Sequence, residues 1–476
     1  MLECDDQGVL REIADHYTFH VPGYRFMPSF RNKLWDGKIR LLNSRDKTIP
    51  SGLLKNLKDW CESRGYQIET HPDVGARKQE IDIPSFIDGL NLPFKPRDFQ
   101  IRGLETMIKD QRRLIISPTG SGKSLISYLG CRWFLDNHEG NILMIVPTTS
   151  LVEQMAKDFE DYSKQNHWNA EENIHKIYSG KEKVGFTGRI VITTWQSIFR
   201  MQKGWFDSFR MAICDEAHTA KAKSLNTIMG NLSKAWIRIG TTGTLDGTQV
   251  HELVLTGHFG EPLNVTSTKE LIENQTLAEL NIQCLVMKYS DEVRKTFGKK
   301  KYQEEIDFLV SNEARNRFIQ NLTLDQKGNT LVLYNLVEKH GKPLYEKLKK
   351  SAKDREVYFV SGAVSADQRE LIRELTETQR NTIIVASLGT FSTGINIRNL
   401  NNIIFAAPTK SQIKVLQSIG RGLRRPEDGK PTTVYDISDN LSWKRRKNYT
   451  MNHAVERIKI YESQEFSYRL YEVPIN

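Results

Sequence analysis

Long hydrophobic runs are missing from this chain. Its longest apolar stretches, Ile142-Leu143-Met144-Ile145-Val146 and Ile403-Ile404-Phe405-Ala406-Ala407, are a fraction of the roughly 20 residues that cross a bilayer as a helix. No membrane-spanning segment is expected, and both stretches read as buried strands. Cysteine is scarce as well. Cys4, Cys61, Cys131, Cys214 and Cys284 lie far apart with no C-x-x-C, which argues against a disulfide framework or a zinc ribbon and points to a reducing compartment. Proline and glycine, 15 and 31 of 476 residues, are too few for a collagen-like or disordered chain. His16, His20, His175, His218 and His453 fall at no zinc-ligand spacing, and no nuclease constellation stands out. The opening residues MLECDDQ carry early acids and no basic-then-apolar stretch, so no secretory leader is expected and the protein is expected to stay inside the cell that makes it.

What the chain does have is length and positive charge. Its 476 residues suggest about three domains at roughly 150 residues each. Lys plus Arg number 68 against 58 Asp plus Glu, a surplus of +10 that favours a polyanionic partner without specifying one. Residues 1–90 form a region of their own, expected as a small α+β domain. Within it Leu53, Leu57, Trp60 and Cys61 recur at helical spacing after Pro50-Ser51-Gly52, and Gly65 ends the pattern. The stretch from Ile81 to Pro93 reads as a connection held by a few apolar anchors.

From 91 to 265, short apolar runs alternate with amphipathic stretches: Arg113–Ser117, Asn141–Val146, Arg189–Thr193, Met211–Asp215 and Ile237–Thr241. After an irregular region, roughly 262 to 305, the rhythm restarts at Thr330–Tyr334, Val357–Val360, Thr382–Ala386, Asn402–Ala406 and Thr433–Ile437. Strand-then-helix units of this kind predict two α/β domains with mostly parallel sheets, 91–265 and 266–476, the second ending in a helical segment.

Residues 113–124 read RLIISPTGSGKS, a strand, a glycine-punctuated loop and a helix start. Gly120 and Gly122 let the backbone curl so that amide N–H groups point at phosphate oxygens, with the helix N-terminus adding its positive end. Thr119 and Ser121 complete that loop. Lys123 is placed to reach the β- and γ-phosphates, and Ser124 to set its hydroxyl on Mg²⁺. The full pattern G-x-x-x-x-G-K-[ST] wants glycine at 117, where this chain has Ser117. A second cluster, Asp215-Glu216-Ala217-His218, follows the strand at Met211–Cys214. A strand-terminal Asp beside a phosphate loop suits the metal, and the adjacent Glu suits a general base that deprotonates the attacking water.

These motifs and their order resemble the superfamily 2 helicases and translocases, which couple ATP hydrolysis to movement on nucleic acid with two RecA-like lobes. The resemblance implies that Gln100 of Pro96–Gln100 reads adenine and that Arg97 also binds the nucleotide. It implies strand contacts for Pro147–Gln154, with Thr148 and Gln154 foremost, and for Thr193–Ser197 with Thr194. Thr242-Gly243-Thr244 resembles the motif that links hydrolysis to lobe movement, and His218 is expected to link the nucleotide site to the other lobe by hydrogen bonds. In the second lobe Thr390–Asn396 resembles a motif that touches both nucleic acid, through Thr390, and nucleotide, through Gly394. Gln417-Ser418-Ile419-Gly420-Arg421-Gly422-Leu423-Arg424 matches Q-x-x-G-R-x-x-R, which implies that Gln417, Arg421 and Arg424 act catalytically at the γ-phosphate. Asn396 stands where many relatives carry Asp, which removes a charge.

The segment from Tyr24 to Arg40 interleaves bases and aromatics, a composition suited to nucleic acid. Arg25, Arg31, Lys33, Trp35, Lys38 and Arg40 are the candidate contacts; the other reading makes Phe26, Phe30 and Trp35 core residues of a small sheet. The region from Trp443 to Tyr449 with Arg457 and Lys459 reads either as a second DNA contact or as a charged face over an inward-packed Ile458, Tyr461 and Phe466. With its WDGK piece at Trp35–Lys38, the chain resembles the repair and recombination helicases of T-even-like bacteriophages. That implies a monomeric ATP- and Mg²⁺-dependent helicase in the host cytoplasm. It also implies unwinding and branch migration of forked, four-way or R-loop DNA, with single-stranded DNA and RNA–DNA hybrid among its partners. The competing readings are a duplex translocase without strand separation, an RNA helicase, and a DNA-binding module with a silent motor.

Overall fold

Thr18-Phe19-His20 and Lys38-Ile39-Arg40 each set one apolar residue between polar ones, and they pair antiparallel as β1 (Thr18–His20) and β2 (Lys38–Arg40), with Phe19 opposite Ile39. This hairpin-like pair belongs to a computed structural model that describes residues 1–21, 23–71, 75, 79–166, 168–178, 183–219, 222–245, 249–298, 300–364, 366–394, 399–407, 415, 419–420 and 431–475. Two compact units divide the chain, Met1–Ser117 with Gly122–Val265, and Pro118–Ser121 with Thr266–Asn476.

In the first unit, helix Gln7–His16 is capped by the Asp6 carboxylate, which accepts from the Gly8 N–H at 2.7 Å. Helix Leu54–Ser63 follows a 3₁₀ turn at Ser51–Leu53 and buries Leu57, Trp60 and Cys61 on the expected stripe. These side chains share one core with Ile13, Tyr17, Leu41, Leu42, Leu53 and Val254. Val254 lies on helix Gln249–Phe259 of the following α/β layer, so the leading domain is welded to its neighbour by common apolar packing. The contact is close: a Cβ on Gly52 would meet the Thr256 carbonyl oxygen at 2.0 Å. The connection expected over 81–93 contains a helix, Ile83–Gly89, capped by Asp82 and anchored by buried Ile83 and Leu90.

The apolar runs of the first α/β layer form parallel strands: β3 (Arg112–Ile116), β4 (Asn141–Val146), β5 (Ile174–Ile177), β6 (Ile190–Thr194), β7 (Phe209–Cys214), β8 (Ile237–Thr242) and β9 (Pro262–Asn264). Their order is β5-β6-β4-β7-β8-β3-β9. Strand β4, in mid-sheet, is buried from Ile142 to Val146, each such side chain contributing about 1.5–3 kcal/mol.

The second unit repeats the architecture with β10 (Leu280–Lys288), β11 (Thr330–Tyr334), β12 (Val357–Val360), β13 (Ile383–Ser387), β14 (Asn402–Phe405), β15 (Thr432–Asn440) and β16 (Tyr468–Pro474). All are parallel, in the order β12-β13-β11-β14-β15-β10-β16. Two parallel sheets with flanking helices are the expected fold class. The region called irregular in fact carries the nine-residue β10, and the C-terminal segment is helix Tyr449–Ser463 followed by the edge strand β16.

Two buried ion pairs pin β15. Asp439 receives Arg315 Nε at 2.8 Å and Tyr289 Oη at 2.8 Å, while Asp436 receives Arg457 Nη2 at 2.6 Å and Tyr461 Oη at 2.9 Å. Arg457 is therefore a buried structural residue and offers nothing to DNA; Tyr461 and Phe466 pack inward beside it. Among the described residues, no helix is long and apolar enough to cross a membrane.

Candidate functional site

Parallel strands deliver their C-terminal ends to one edge of the first sheet, where ligands of such folds bind. Strand β3 runs into Ser117, which is buried and donates its N–H to Thr242 O at 2.9 Å. Replacing glycine there costs no backbone strain, and the serine fits. Gly120 and Gly122 both take positive φ, +86° and +84°, a conformation that side chains resist. A Cβ at Gly122 would also lie 2.5 Å from Gln100 Nε2. Gly122 is the N-cap of helix Lys123–Asn137 and brings no side chain to bond the first N–H groups of the helix. Gln100, 3% exposed, accepts from the Arg97 N–H at 2.9 Å through Oε1, while Arg97 itself is exposed. Thr119 is half-buried and Ser121 fully buried.

Lys123 Nζ donates to Ser117 O at 3.1 Å and stands 3.5 Å from Glu216 Oε1. Ser124 Oγ is 2.7 Å from the hydroxyl of Tyr162. Asp215 follows β7, with its N–H on Ile145 O at 2.8 Å and its Oδ1 accepting from Thr241 Oγ1 at 2.6 Å. Burial, and then the neighbouring Glu216 carboxylate, push the Asp215 acid up to about 6, with Lys123 and Thr241 opposing. Glu216 has φ +46°, a sparsely populated conformation for a residue with a side chain; its carbonyl is fixed by the Thr219 N–H at 2.8 Å.

His218 Nδ1 is 2.6 Å from Thr242 Oγ1, which in turn lies 2.8 Å from Thr244 O and donates to it. His218 thus ties Asp215–His218 to Thr242–Thr244.

Asp215 and Glu216 are close enough that one carboxylate raises the pKa of the other, with Lys123 beside them, and these carboxylates and the Ser124 hydroxyl are oxygen donors of the kind a hard divalent cation takes. The positive-φ glycines let the backbone turn into the start of helix Lys123–Asn137, and a helix N-terminus of this kind suits phosphate oxygens. Sequence reasoning missed Thr241 and Tyr162. Thr241 could have been found from the parallel register, which sets Cys214 beside Gly240 and hence Asp215 beside Thr241; no sequence signal marks Tyr162.

The candidate strand contacts separate into groups. Thr148 caps helix Thr149–Tyr162, accepting from the Leu151 N–H at 3.3 Å, and Gln154 lies exposed on the helix. Thr194 is buried, with its hydroxyl 3.0 Å from Ser197 Oγ. The exposed residue of that segment is Gln196. In the second unit, Thr390 Oγ1 accepts from Ser387 Oγ at 2.7 Å and Gly394 ends helix Leu388–Gly394. Gln417, Arg421 and Arg424 lie outside the described residues, as does Asn396.

In the leading domain residues 24–38 stand outside the apolar cluster, while Ile39 of β2 packs against it. Phe26 is 77% and Leu34 80% exposed, and neither Phe30 nor Trp35 joins the apolar cluster, so the reading of these aromatics as a sheet core is corrected. Tyr24 stacks on His20 at 4.5 Å and meets Phe30 edge-on at 4.7 Å, while Trp35 Nε1 donates to Lys38 O at 2.9 Å. A groove runs between Arg25, Phe30, Arg31, Lys33 and Trp35. Arg40 is engaged with Asp36 and holds that carboxyl down at about 2, leaving Arg25, Arg31, Lys33 and Lys38 as the cations around the rings.

Three family models match the chain: "DNA helicase UvsW, N-terminal" over residues 1–71, "Type III restriction enzyme, res subunit" over 93–247, and "Helicase conserved C-terminal domain" over 313–426. The ATP-dependent DNA helicase uvsW of Enterobacteria phage T4 is 35% identical over 98% of this chain and 96% of its own length. The crystal structure of T4 UvsW matches with a TM-score of 0.51 and 32% identity, over 100% of this chain and 97% of that one. Another structure of the UvsW helicase from bacteriophage T4 covers 55% of this chain and 94% of its own, at 33% identity and a TM-score of 0.50.

Proposed function

Because the chain belongs to the UvsW family of ATP-dependent DNA helicases, we propose that it unwinds and branch-migrates forked, four-way or R-loop DNA during phage recombination, repair and replication restart. It works as a monomer in the host cytoplasm, on branched DNA, single-stranded DNA and RNA–DNA hybrid. The observation that carries the reading is the likeness over nearly the whole chain, which takes in the leading domain as well as the motor.

The domains divide as 1–90 for nucleic-acid contact, 91–265 for nucleotide and 266–476 for the second lobe. Gln100 reads adenine with Arg97 beside it on the nucleotide, and Thr119, Gly120, Ser121 and Gly122 offer backbone N–H groups to the phosphates. Ser124 and Asp215 hold Mg²⁺, whose charge offsets that of the phosphates. Lys123 moves from Glu216 to the phosphates, which frees the Glu216 carboxylate to orient and deprotonate water. Gln417, Arg421 and Arg424 stabilise the charge on the transferring phosphoryl, with Gly394 beside the nucleotide; an arginine in that role is worth on the order of 10³ to 10⁵ in rate. Thr148, Gln154 and Thr390 touch the tracked strand, Thr194 only after its segment opens. Arg25, Arg31, Lys33, Trp35 and Lys38 meet the junction, with Arg40 in reserve behind its ion pair.

The test is ATP hydrolysis measured against single-stranded DNA, duplex, fork, four-way junction, R-loop and RNA, with strand separation read on the same substrates. Stimulation and unwinding greatest on branched DNA are expected. Strong stimulation by plain duplex with no strand released would indicate a translocase, preference for RNA an RNA helicase, and no hydrolysis on any substrate a silent motor.

A further inference from the structure

Helix Thr149–Tyr162 begins and ends at two places of interest. At its start, Thr148 is both its cap and a candidate strand contact; at its end, the Tyr162 hydroxyl lies 2.7 Å from Ser124 Oγ. Fourteen residues make a rod about 21 Å long. Val152, Met155 and Phe159 are buried along it, so it does not slide freely. The Tyr162 ring is held edge-on by Phe94 at 5.7 Å and by Tyr128 at 5.5 Å, and Tyr128 in turn by Phe159 and Trp168 at 5.1 and 5.8 Å. An aromatic cage thus fixes one hydroxyl against one serine.

We propose that Tyr162 is a positioning residue for the metal–nucleotide site: its hydroxyl orients Ser124 Oγ and joins that ligand mechanically to the strand-facing end of the helix. The inference rests on the readings of Ser124 as a Mg²⁺ ligand and of Thr148 as a strand contact. A serine oxygen that gives a lone pair to a divalent cation must aim its proton away from the cation, and that proton needs an acceptor. The Tyr162 oxygen is at hydrogen-bond distance to take it, which also removes the rotational freedom of the serine hydroxyl. Partners of this kind, one bond removed from the metal, set ligand orientation, and losing one typically costs about 10–100-fold in metal affinity.

The test is titration of a fluorescent ADP analogue, in Mg²⁺ and in EDTA, with wild type, Tyr162→Phe, Ser124→Ala and the double variant. Phenylalanine keeps the ring packing, so thermal melting should match wild type. The expectation is that Tyr162→Phe weakens binding in Mg²⁺ about tenfold, leaves binding in EDTA unchanged, and adds nothing to Ser124→Ala. Wild-type binding by Tyr162→Phe alongside a defect in Ser124→Ala would overturn the role of Tyr162 and leave the Ser124 reading standing. Wild-type binding by Ser124→Ala would overturn that reading itself. For the mechanical link, adding oligo(dT) should lower the Mg²⁺ concentration for half-maximal hydrolysis in wild type and not in Tyr162→Phe; an equal shift in both would refute it.

Discussion

Gly52→Ala should loosen the leading domain from the first lobe, and the structure gives the size of the effect. The added Cβ would sit 2.0 Å from Thr256 O, 2.7 Å from Gly257 O and 2.8 Å from Gly260 N. All three atoms are backbone at the end of helix Gln249–Phe259, so no rotamer change relieves the clash. The domain has to lift by about 1.5 Å to restore ordinary contact distances of roughly 3.5 Å. That opens the packing of Leu53, fully buried beside Val254. Overpacking typically costs 1–3 kcal/mol, and the rigid partners put this case near about 3 kcal/mol. Urea unfolding followed by tryptophan fluorescence should show a lower midpoint for the first unit. Hydrolysis stimulated by single-stranded DNA should persist, while unwinding of a fork falls, because prying strands apart needs a fixed abutment. A variant that unfolds and unwinds like wild type would refute the reasoning that the leading domain works as part of the lobe.

Lys123→Ala should abolish ATP hydrolysis and leave most DNA binding intact; phosphate release on junction DNA within a few-fold of wild type would show that the phosphate site lies elsewhere. Asp439→Ala leaves the Arg315 guanidinium buried without its carboxylate, which should cost about 3–5 kcal/mol and appear as a lower melting temperature of the second unit. Acid should destabilise the first unit through His258. Burial, followed by the charges of Arg238 and Arg112, lowers its pKa to about 4, so the folded state keeps the ring neutral while the unfolded chain takes up a proton below about 6.5. The stability it contributes is complete above about 6.5 and is lost as pH falls toward 4. His258→Gln, which keeps a donor for Asn226 Oδ1, should flatten that slope in a pH series of melting curves.

The central strands were legible because they are buried on both faces and read as unbroken apolar runs, Asn141–Val146 and Thr330–Tyr334 above all. The edges were not. Strand β16 is exposed at Arg469, Leu470, Tyr471 and Glu472 and β9 at Pro262 and Asn264, so neither shows a hydrophobic signature. The full length of β15 was hidden by Asp436 and Asp439, acids that a strand interior tolerates only because Arg457 and Arg315 meet them. The turns of the loop after β3 were legible because glycine spacing reports backbone conformation directly, and Gly120 and Gly122 both take positive φ. Thr241 and Tyr162 reach the same site through packing of distant segments, which no local pattern encodes. The segment 24–40 was legible as composition, yet only the fold shows that its rings stand outside the core.

The most direct test of the account is a single assay that follows phosphate release and strand separation together on a fluorescently labelled fork, for wild type and Lys123→Ala. The account predicts that the strands part in step with hydrolysis in wild type and stay paired in the variant, which still binds the fork. Strand separation by Lys123→Ala at the wild-type rate, or hydrolysis by wild type with the fork left intact, would contradict it.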